Sequence, residues 1–390
     1  MDRCDVLIVG GGPAGSTCAR KLVAAGLDVV VLDKHLFPRD KTCAGWITPA
    51  VVEELELDTF EYASSRVFQP VTGFRTGMMG GRPVQTSYDE PVSFGIRRCE
   101  FDHYLLGRSG ARLRLGERLE AIERSGSGWV ANGSISAPLL VGAGGHFCPV
   151  ARFLGAAGGG KELVVAAQEI EFELSDRQLE ECAAQAGVPE LYFCPDLRGY
   201  GWCVRKGKFL NVGLGREDSR RVSEHVGEFC DLMKRQGRIP PDTPARLHGH
   251  AYILYGHAPR SLVEDGALLA GDAAGLAYPQ SGEGIRPAVE SGLLAADVIL
   301  GAHGEYGRQK LRPYVDRLLR RFGSCLTEGA SPIAPPSRLR RRLAASLLAT
   351  RWFSRHVLID RWFLRMGTPA LKWGDMTGGA MVPEDDEVVS

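Results

Sequence analysis

The sequence predicts an α/β + β protein: a Rossmann-like dinucleotide-binding domain with an inserted antiparallel-sheet substrate domain and C-terminal helices. Three observations predict it. A glycine-rich β-α-β unit opens the chain, a second glycine cluster follows a buried strand near residue 270, and long alternating strands lie between them. At 390 residues the chain exceeds what one hydrophobic core usually organises, so more than one lobe is expected. Its 49 glycines are too many for an ordinary domain and have no three-residue period, so their placement carries the information.

The first unit runs in order. Asp5–Gly10 (DVLIVG) reads as a buried strand, GGGPAGSTCARKLVAAG as a glycine turn feeding a helix, and Leu27–Asp33 as a second buried strand. Gly10, Gly12 and Gly15 stand in G-x-G-x-x-G register. Gly10 permits the tight turn, Gly12 lets backbone approach a pyrophosphate, and Gly15 allows close helix–strand packing. The helix start at Pro13 and Ala14 offers positive potential to phosphates. Asp33, 18 residues after Gly15, can accept a ribose hydroxyl, with Lys34 beside it.

The second cluster reads ALLAGDAAGLAYPQSGEGIRPAVESGLL. A short strand ends at Gly271-Asp272, a loop holds Gly282 and Gly284, and a helix begins at about Ile285. This is a second anion-binding helix start. One large ligand touched by both ends of the chain fits better than two nucleotides.

From Leu163 to about Leu254 the pattern changes to alternating strands such as VVAAQEIEFEL and FLNVGLG, with one helix at about Ser223–Gln236. The segment 65–92 is expected to join that sheet, and residues 112–132 to form a small antiparallel flap. The expected layout is discontinuous: 1–64, 93–162 and 255–330 in the dinucleotide-binding domain, 65–92 and 163–254 in the substrate domain, and 331–390 as a C-terminal helical segment and tail.

Composition removes several function classes. Forty-seven basic residues balance 47 acidic ones, which argues against a dedicated nucleic-acid binder. The ten cysteines form no CxxC pair, and no Cys/His spacing suits zinc. His248, His250 and His257 lack thiol or carboxylate partners at metal-ligand spacing, so no metal is expected. No signal-peptide pattern opens the chain, and no apolar run reaches the ~18 residues that span a bilayer. A reduced cytoplasmic protein, monomer or homodimer, is expected.

The motifs resemble those of the flavoprotein superfamily that holds para-hydroxybenzoate hydroxylase, the flavin halogenases and the geranylgeranyl reductases. The resemblance covers roughly residues 1–325 and implies a GR2-type FAD-binding domain. In that superfamily GGGPAG with the acid at Asp33 binds the ADP half of FAD, and GDAAG around Asp272 contacts the ribityl–pyrophosphate region. IRRCEFDHYL (96–105) resembles the family's R-x-x-F-D-x-x-L pattern, which implies that Arg98 lies near the FAD. VGAGGHFCPVAR carries Gly144-Gly145 where the family often has Asp-Gly, so a role needing an acid there is not expected.

Three features resemble the geranylgeranyl reductase branch. KTCAGWITP (41–49) is similar to its K-x-C-G-G motif, GDAAG to its second FAD motif, and GYGWCVRKGKFLNVGLG (199–215) to its Y-x-W-x-F-P-K-x-x-x-x-N-V-G block, with Val204-Arg205 replacing Phe-Pro. The implied activity is reduction of carbon–carbon double bonds of a polyprenyl or related lipid, with NAD(P)H or ferredoxin as external electron donor. Tyr200 and Trp202 fall two apart on a strand and so share a face; with Tyr192 they are candidates for the wall of an apolar pocket, or for plain sheet core. Cys43 is a candidate for chemistry, proton relay, redox or packing. Lys41 and Arg39 suit FAD phosphate, substrate phosphate or a solvated loop. The alternative activity is an FAD monooxygenase or halogenase on an aromatic or polyketide substrate; a flavin-bearing lipid carrier is a third reading.

After the linker SPIAPPS, residues 338–365 carry eight arginines against the single acid Asp360, interleaved with leucines, Trp352, Phe353 and Trp362. Such a stretch suits the headgroup region of an anionic bilayer, or packing on the substrate domain.

Overall fold

The computed structural model describes residues 1–126, 128–156, 164–217, 221–256, 260–323 and 338–373. The expected linker at 331–337, His257 and the acidic tail lie outside the described residues.

A six-stranded sheet holds the first core. Its order is Val263–Glu264, Ala267–Leu269, Leu139–Gly142, Val6–Val9, Val29–Asp33, Arg112–Leu115, parallel except at the first pair. The central strands VLIV, VVVLD and LLVG are buried at every residue, because helices cover both faces of a parallel sheet. The helix Pro13–Ala24 follows the first strand, and the helix Ile285–Gly301 packs on it. Their closest approach falls at Gly292, where a Cβ would stand 2.5 Å from the Ala14 carbonyl oxygen.

Arg112–Leu115 corrects the expectation of a flap over 112–132. Its RLRL alternation fits the half-exposed edge of the parallel sheet, where it pairs with Val30–Asp33. Only Ile122–Ser125, Gly128–Ala131 and Ile135–Ala137 form the small sheet, together with Asp2–Arg3.

A seven-stranded sheet follows the order His248–Ile253, Val164–Glu173, Phe209–Arg216, Gly199–Lys206, Glu190–Phe193, Gly73–Met78, Val84–Ser87. Every pair is antiparallel except Glu190–Phe193 with Gly73–Met78. The segment 65–92 therefore joins it only in part. Phe68–Val71 pairs with Ser93–Ile96 in a separate three-stranded sheet that also takes Trp46–Ile47. The Phe68 and Phe94 rings, stacked at 4.4 Å, hold that pairing.

The two faces of the large sheet are covered differently. The helix Val222–Arg235 lays Val222, Val226, Phe229 and Met233 on one face, one helical turn apart. Phe229 rests over Gly201, where a Cβ would come within 2.7 Å of its ring. The other face is open near its centre and is closed from outside by the π-helical segment Phe353–Phe363, which buries Leu358, Ile359 and Phe363. Beyond it, Arg286 donates to the Thr368 and Pro369 carbonyls at 2.9 Å each, anchoring the chain near residue 369 to the first domain's long helix.

Candidate functional site

A cavity of about 720 Å³ runs from the C-terminal edge of the parallel sheet to the open face of the seven-stranded sheet. That volume lies within the usual range for ligand sites. All the residues singled out for cofactor, chemistry or pocket wall line it, except Gly15 and Tyr192.

At one end the walls are backbone. Gly10 has φ +116°, and a Cβ there would stand 2.3 Å from the Ala143 carbonyl oxygen. Gly15 sits behind the cavity against the Gly10 carbonyl, 1.9 Å from where its Cβ would be. Gly12 opens into the cavity, with Arg39 Nη2 the nearest atom to a Cβ there at 3.6 Å. It is also the N-cap of the first helix, and no side chain caps that terminus. Its Ala14 and Gly15 N–H groups are the orphan donors an anion would use. Asp33 is buried and accepts from the Gly11 N–H at 2.8 Å and the His35 N–H at 2.9 Å. Those bonds fix the carboxylate where a ribose hydroxyl could use its remaining lone pairs. Lys34 stands beside it on the rim.

The second glycine cluster meets the first directly. Gly271 has φ +63°, and a Cβ there would touch the Ala14 methyl at 3.1 Å. Gly284 caps the helix that starts at Ile285, again without a side-chain cap, and lies 3.1 Å from Asp272 Oδ1 by the same measure. Gly282, φ +69°, packs under the Tyr252 hydroxyl.

Between the clusters lies a dense set of charges. Arg98 grips Asp102 through two bonds of 2.8 Å, and Arg39 approaches the same carboxylate at 3.2 Å. Lys41 Nζ meets His250 Nε2 at 2.5 Å, and Asp272 lies 3.5 Å from that nitrogen and 4.0 Å from Lys41. Burial lowers Lys41 to about 8 and pushes His250 below its ordinary value. Asp272 sits at about 2: burial opposes ionisation, but the His250 bond and the Lys41 charge outweigh it. With His250 neutral, three cations face two carboxylates beside an uncapped helix start. That surplus suits the pyrophosphate of an extended dinucleotide, and the open space at Gly12 suits its close approach. The residues present therefore fit FAD.

At the other end the walls are side chains. Tyr200 and Trp202 both face the cavity, with Ala167, Glu169 and Glu171 from the neighbouring strand. Tyr200 donates its hydroxyl proton to the Ser281 carbonyl at 2.5 Å, which ties the sheet to the second glycine loop. Trp202 lies across Gly213, where a Cβ would be 2.4 Å from its ring, so the glycine of the N-V-G block makes room for the indole. Its Nε1–H donates to Asn211 Oδ1 at 2.7 Å, and Asn211 Nδ2 donates to the Cys43 carbonyl at 3.1 Å. Lys206, fully buried, donates to the Ala44 and Ile96 carbonyls and to Glu171 Oε1 at 2.5 Å. The loop carrying Cys43 is thus clamped from below. The Cys43 Sγ accepts from the Gly45 N–H at 3.4 Å and borders the cavity. Phe363 closes the roof, 5.4 Å from Tyr200 and 6.2 Å from Trp46 between ring centres.

Tyr192 does not join that wall. It pairs across the ladder with Gly201, not Tyr200, so it points to the opposite face and packs near Phe229. His250, set aside as a metal ligand, is part of the charge cluster instead. Glu169, Glu171, Tyr252 and Phe363 stand in no motif; Lys206 and Asn211 fall on the K and N of the Y-x-W-x-F-P-K-x-x-x-x-N-V-G block. The acids at 169 and 171 also carry a signal: with Glu173 they recur with period two on one face of the strand.

Comparisons with known proteins bear on the fold and on the family. Residues 5–71 match the family described as FAD dependent oxidoreductase. The chain is 29% identical to the menaquinone reductase of Mycobacterium tuberculosis over 76% of this chain and 77% of that protein. It is 28% identical to digeranylgeranylglycerophospholipid reductase 1 of Methanothermobacter thermautotrophicus, over 81% and 82%. A geranylgeranyl bacteriochlorophyll reductase-like structure from Thermoplasma acidophilum superposes with a TM-score of 0.70 at 21% identity, covering 90% of this chain and 88% of that one. The FAD complex of a halogenase, PltM, superposes at 0.65 and 17% identity, over 82% and 74%.

Proposed function

The chain is an FAD-dependent oxidoreductase with a geranylgeranyl reductase-like fold, and from that premise we propose that it saturates carbon–carbon double bonds in the polyprenyl chain of a lipid. The observation that carries this reading is the chamber beside the cradle: Tyr200, Trp202, Trp46 and Phe363 form aromatic walls at the end of the cavity away from Gly12. An isolated alkene has no polar handle, so shape and exclusion of water must hold it. The relatives' names point the same way, since menaquinone and digeranylgeranylglycerophospholipid share a polyprenyl chain and differ in head group.

In this reading Gly12, Ala14 and Gly15 hold the pyrophosphate, with Arg39 and Lys41 supplying charge. Asp33 takes the adenosine ribose. Gly282, Gly284 and Ile285 approach the ring by backbone, and Asp272 takes a ribityl hydroxyl. Bound FAD, once reduced, supplies hydride. Tyr200 and Trp202 orient the alkene, and Asn211 and Lys206 keep the Cys43 loop pressed against the chamber.

The same reading places the roof at a lipid surface. On the helix Arg338–Leu348, Leu339, Leu343 and Leu347 are spaced four apart and 77%, 59% and 38% exposed; Trp352 is 68% exposed. Arginines flank this stripe throughout. An apolar stripe edged with cations suits an anionic bilayer, and Phe363 lies just beyond it over the chamber. No helix among the described residues is long and apolar enough to cross a membrane.

The test is anaerobic mixing of the reduced, FAD-loaded protein with a panel of polyprenyl lipids. Flavin reoxidation with a saturated product is expected; flavin that stays reduced across the panel contradicts the proposal. Flotation with phosphatidylglycerol vesicles, lost in L343E and absent with phosphatidylcholine, is expected for the roof; equal flotation of wild type and L343E contradicts it.

A further inference from the structure

Saturating a double bond takes a hydride on one carbon and a proton on the other, and the reading above leaves the proton without a source. We propose that Glu169 is the acid that delivers it. The inference rests on the reductase reading and goes beyond it by assigning the second half of the addition to a side chain.

Two acids of the cavity, Glu169 and Glu283, have buried carboxyl oxygens without a partner; Glu283 lies in the second glycine loop, whereas Glu169 stands on the sheet face beside Trp202, which is where the alkene is proposed to lie. Glu169 lies on the strand Val164–Glu173, on the face shared with Ala167 and Glu171, and borders the cavity. It is 5% exposed, and its Oε2 is buried without any hydrogen-bond partner. A buried carboxyl oxygen with no partner is costly as an anion and tolerable as an acid. The groups that face it are few. The Cys43 backbone N–H and the Asn211 side chain donate toward its carboxyl, leaving Oε2 without a partner; the Lys206 charge acts from the second strand over, and Glu171 stands two residues along. Trp202 covers Gly213, its direct partner on the next strand; on its other side it pairs with exposed His248. Burial raises its carboxyl to about 8, against the pull of the Cys43 backbone and the Lys206 charge, so it carries a proton at neutral pH.

The neighbours are unsuited to the task. Glu171 is bonded to Lys206 at 2.5 Å and to Arg97 at 3.4 Å; burial would raise it, but the Lys206 charge holds it below the ordinary range and ionised. Tyr200 already donates its only hydroxyl proton to the Ser281 carbonyl, and burial pushes its ionisation well up.

The step balances. With hydride supplied to one alkene carbon by FAD in its two-electron-reduced form, which would be reoxidised, the Glu169 O–H bond would break and its proton would go to the other carbon. The carboxylate left behind takes a proton from solvent before the next turnover. The shape-conserving test is E169Q; E171Q, which disturbs the Lys206 pair, serves only to assign the infrared band.

Three readouts decide it. In the oxidised holoprotein without substrate, the infrared C=O band of a protonated carboxylic acid should be present at pH 7 and fade as pH rises through about 8. It should be missing in E169Q and kept in E171Q. The comparison is by difference, because burial also holds Glu283 at about 7 and Glu54 at about 9. In rapid mixing, E169Q should bind FAD as wild type does but slow alkene-driven flavin reoxidation about a hundredfold or more, the usual contribution of a general acid. The wild-type rate should be high below pH 8 and fall above it, and E169Q should lose that dependence.

An active wild type with an equally active E169Q, an unchanged pH profile, or no Glu169-dependent acid band at pH 7 would each overturn the assignment. A wild type inert toward every alkene would overturn the reductase reading instead, and this assignment with it. The two failures are distinguishable because only the first leaves alkene-driven reoxidation intact.

Discussion

Gly12 and Trp202 line the same cavity in opposite ways. Gly12 contributes by lacking a side chain, so that backbone N–H groups of a helix start lie open. Trp202 contributes a large ring that lies across Gly213 and, through Asn211, reaches the Cys43 loop. The cradle is made of chain geometry, and its tolerances are those of hard contact. The chamber is made of side chains held by a few hydrogen bonds, and each can be changed while the fold survives. The difference teaches where binding and chemistry separate: damage to the cradle should cost cofactor and fold together, and damage to the chamber should cost turnover first.

The largest expected effect is at Gly15. In G15V the new side chain would start 1.9 Å from the Gly10 carbonyl, against the first turn of the sheet. Overpacking of that kind costs about 1–3 kcal/mol or more, and the displaced turn lines the proposed FAD cradle. Purified G15V should hold little FAD and melt well below wild type; normal FAD content with an unchanged Tm would break the comparison on the cradle side. Next is F363A. Truncating a buried phenylalanine costs about 3–5 kcal/mol, here concentrated where the C-terminal segment docks on Tyr200 and Trp46. Limited proteolysis should cut the segment 338–373 faster while FAD stays bound.

W202F is smaller and more specific. It keeps a ring but removes the indole donor, leaving Asn211 Oδ1 without its 2.7 Å bond. An unsatisfied buried acceptor costs about 1–3 kcal/mol. FAD content should hold, and alkene-driven reoxidation should slow. N211L should have a similar effect, and the double variant should fall short of the sum if both act through the Cys43 loop. The smallest effect concerns pH. Lys41 loses its charge above about 8, so FAD affinity of the apoprotein should weaken as pH rises from 7 to 9, by about tenfold for 1.4 kcal/mol. K41M should bind more weakly at pH 7 and show a flat profile; a wild-type affinity that rises with pH would contradict the cluster's role.

The contrast also explains what the sequence disclosed. Gly10, Gly12, Gly15 and the 271–284 cluster could be read in order, because a backbone that must turn or approach closely demands glycine at fixed spacing. The chamber resisted for the opposite reason. The face Tyr192 takes relative to Tyr200 depends on the register of the Glu190–Phe193 pairing, which no local pattern near Tyr200 reveals, so the choice between pocket wall and sheet core stays open in the sequence. Phe363 comes from a segment more than 150 residues after Tyr200, and only tertiary packing brings them together. Arg112–Leu115 left the expected flap for the parallel sheet, since an alternating edge strand looks the same in either place. Glu169 and Glu171 did leave a trace, in phase with Glu173 along one strand face, though nothing local tells which of them Lys206 neutralises.

The central claim is that the chamber adds hydrogen to an alkene. The most direct measurement is product mass after one anaerobic turnover of the reduced holoprotein with a polyprenyl lipid. The account predicts a lipid heavier by one pair of hydrogens for each flavin reoxidised. An unchanged lipid, or a product gaining oxygen or halogen only when air is admitted, would contradict it.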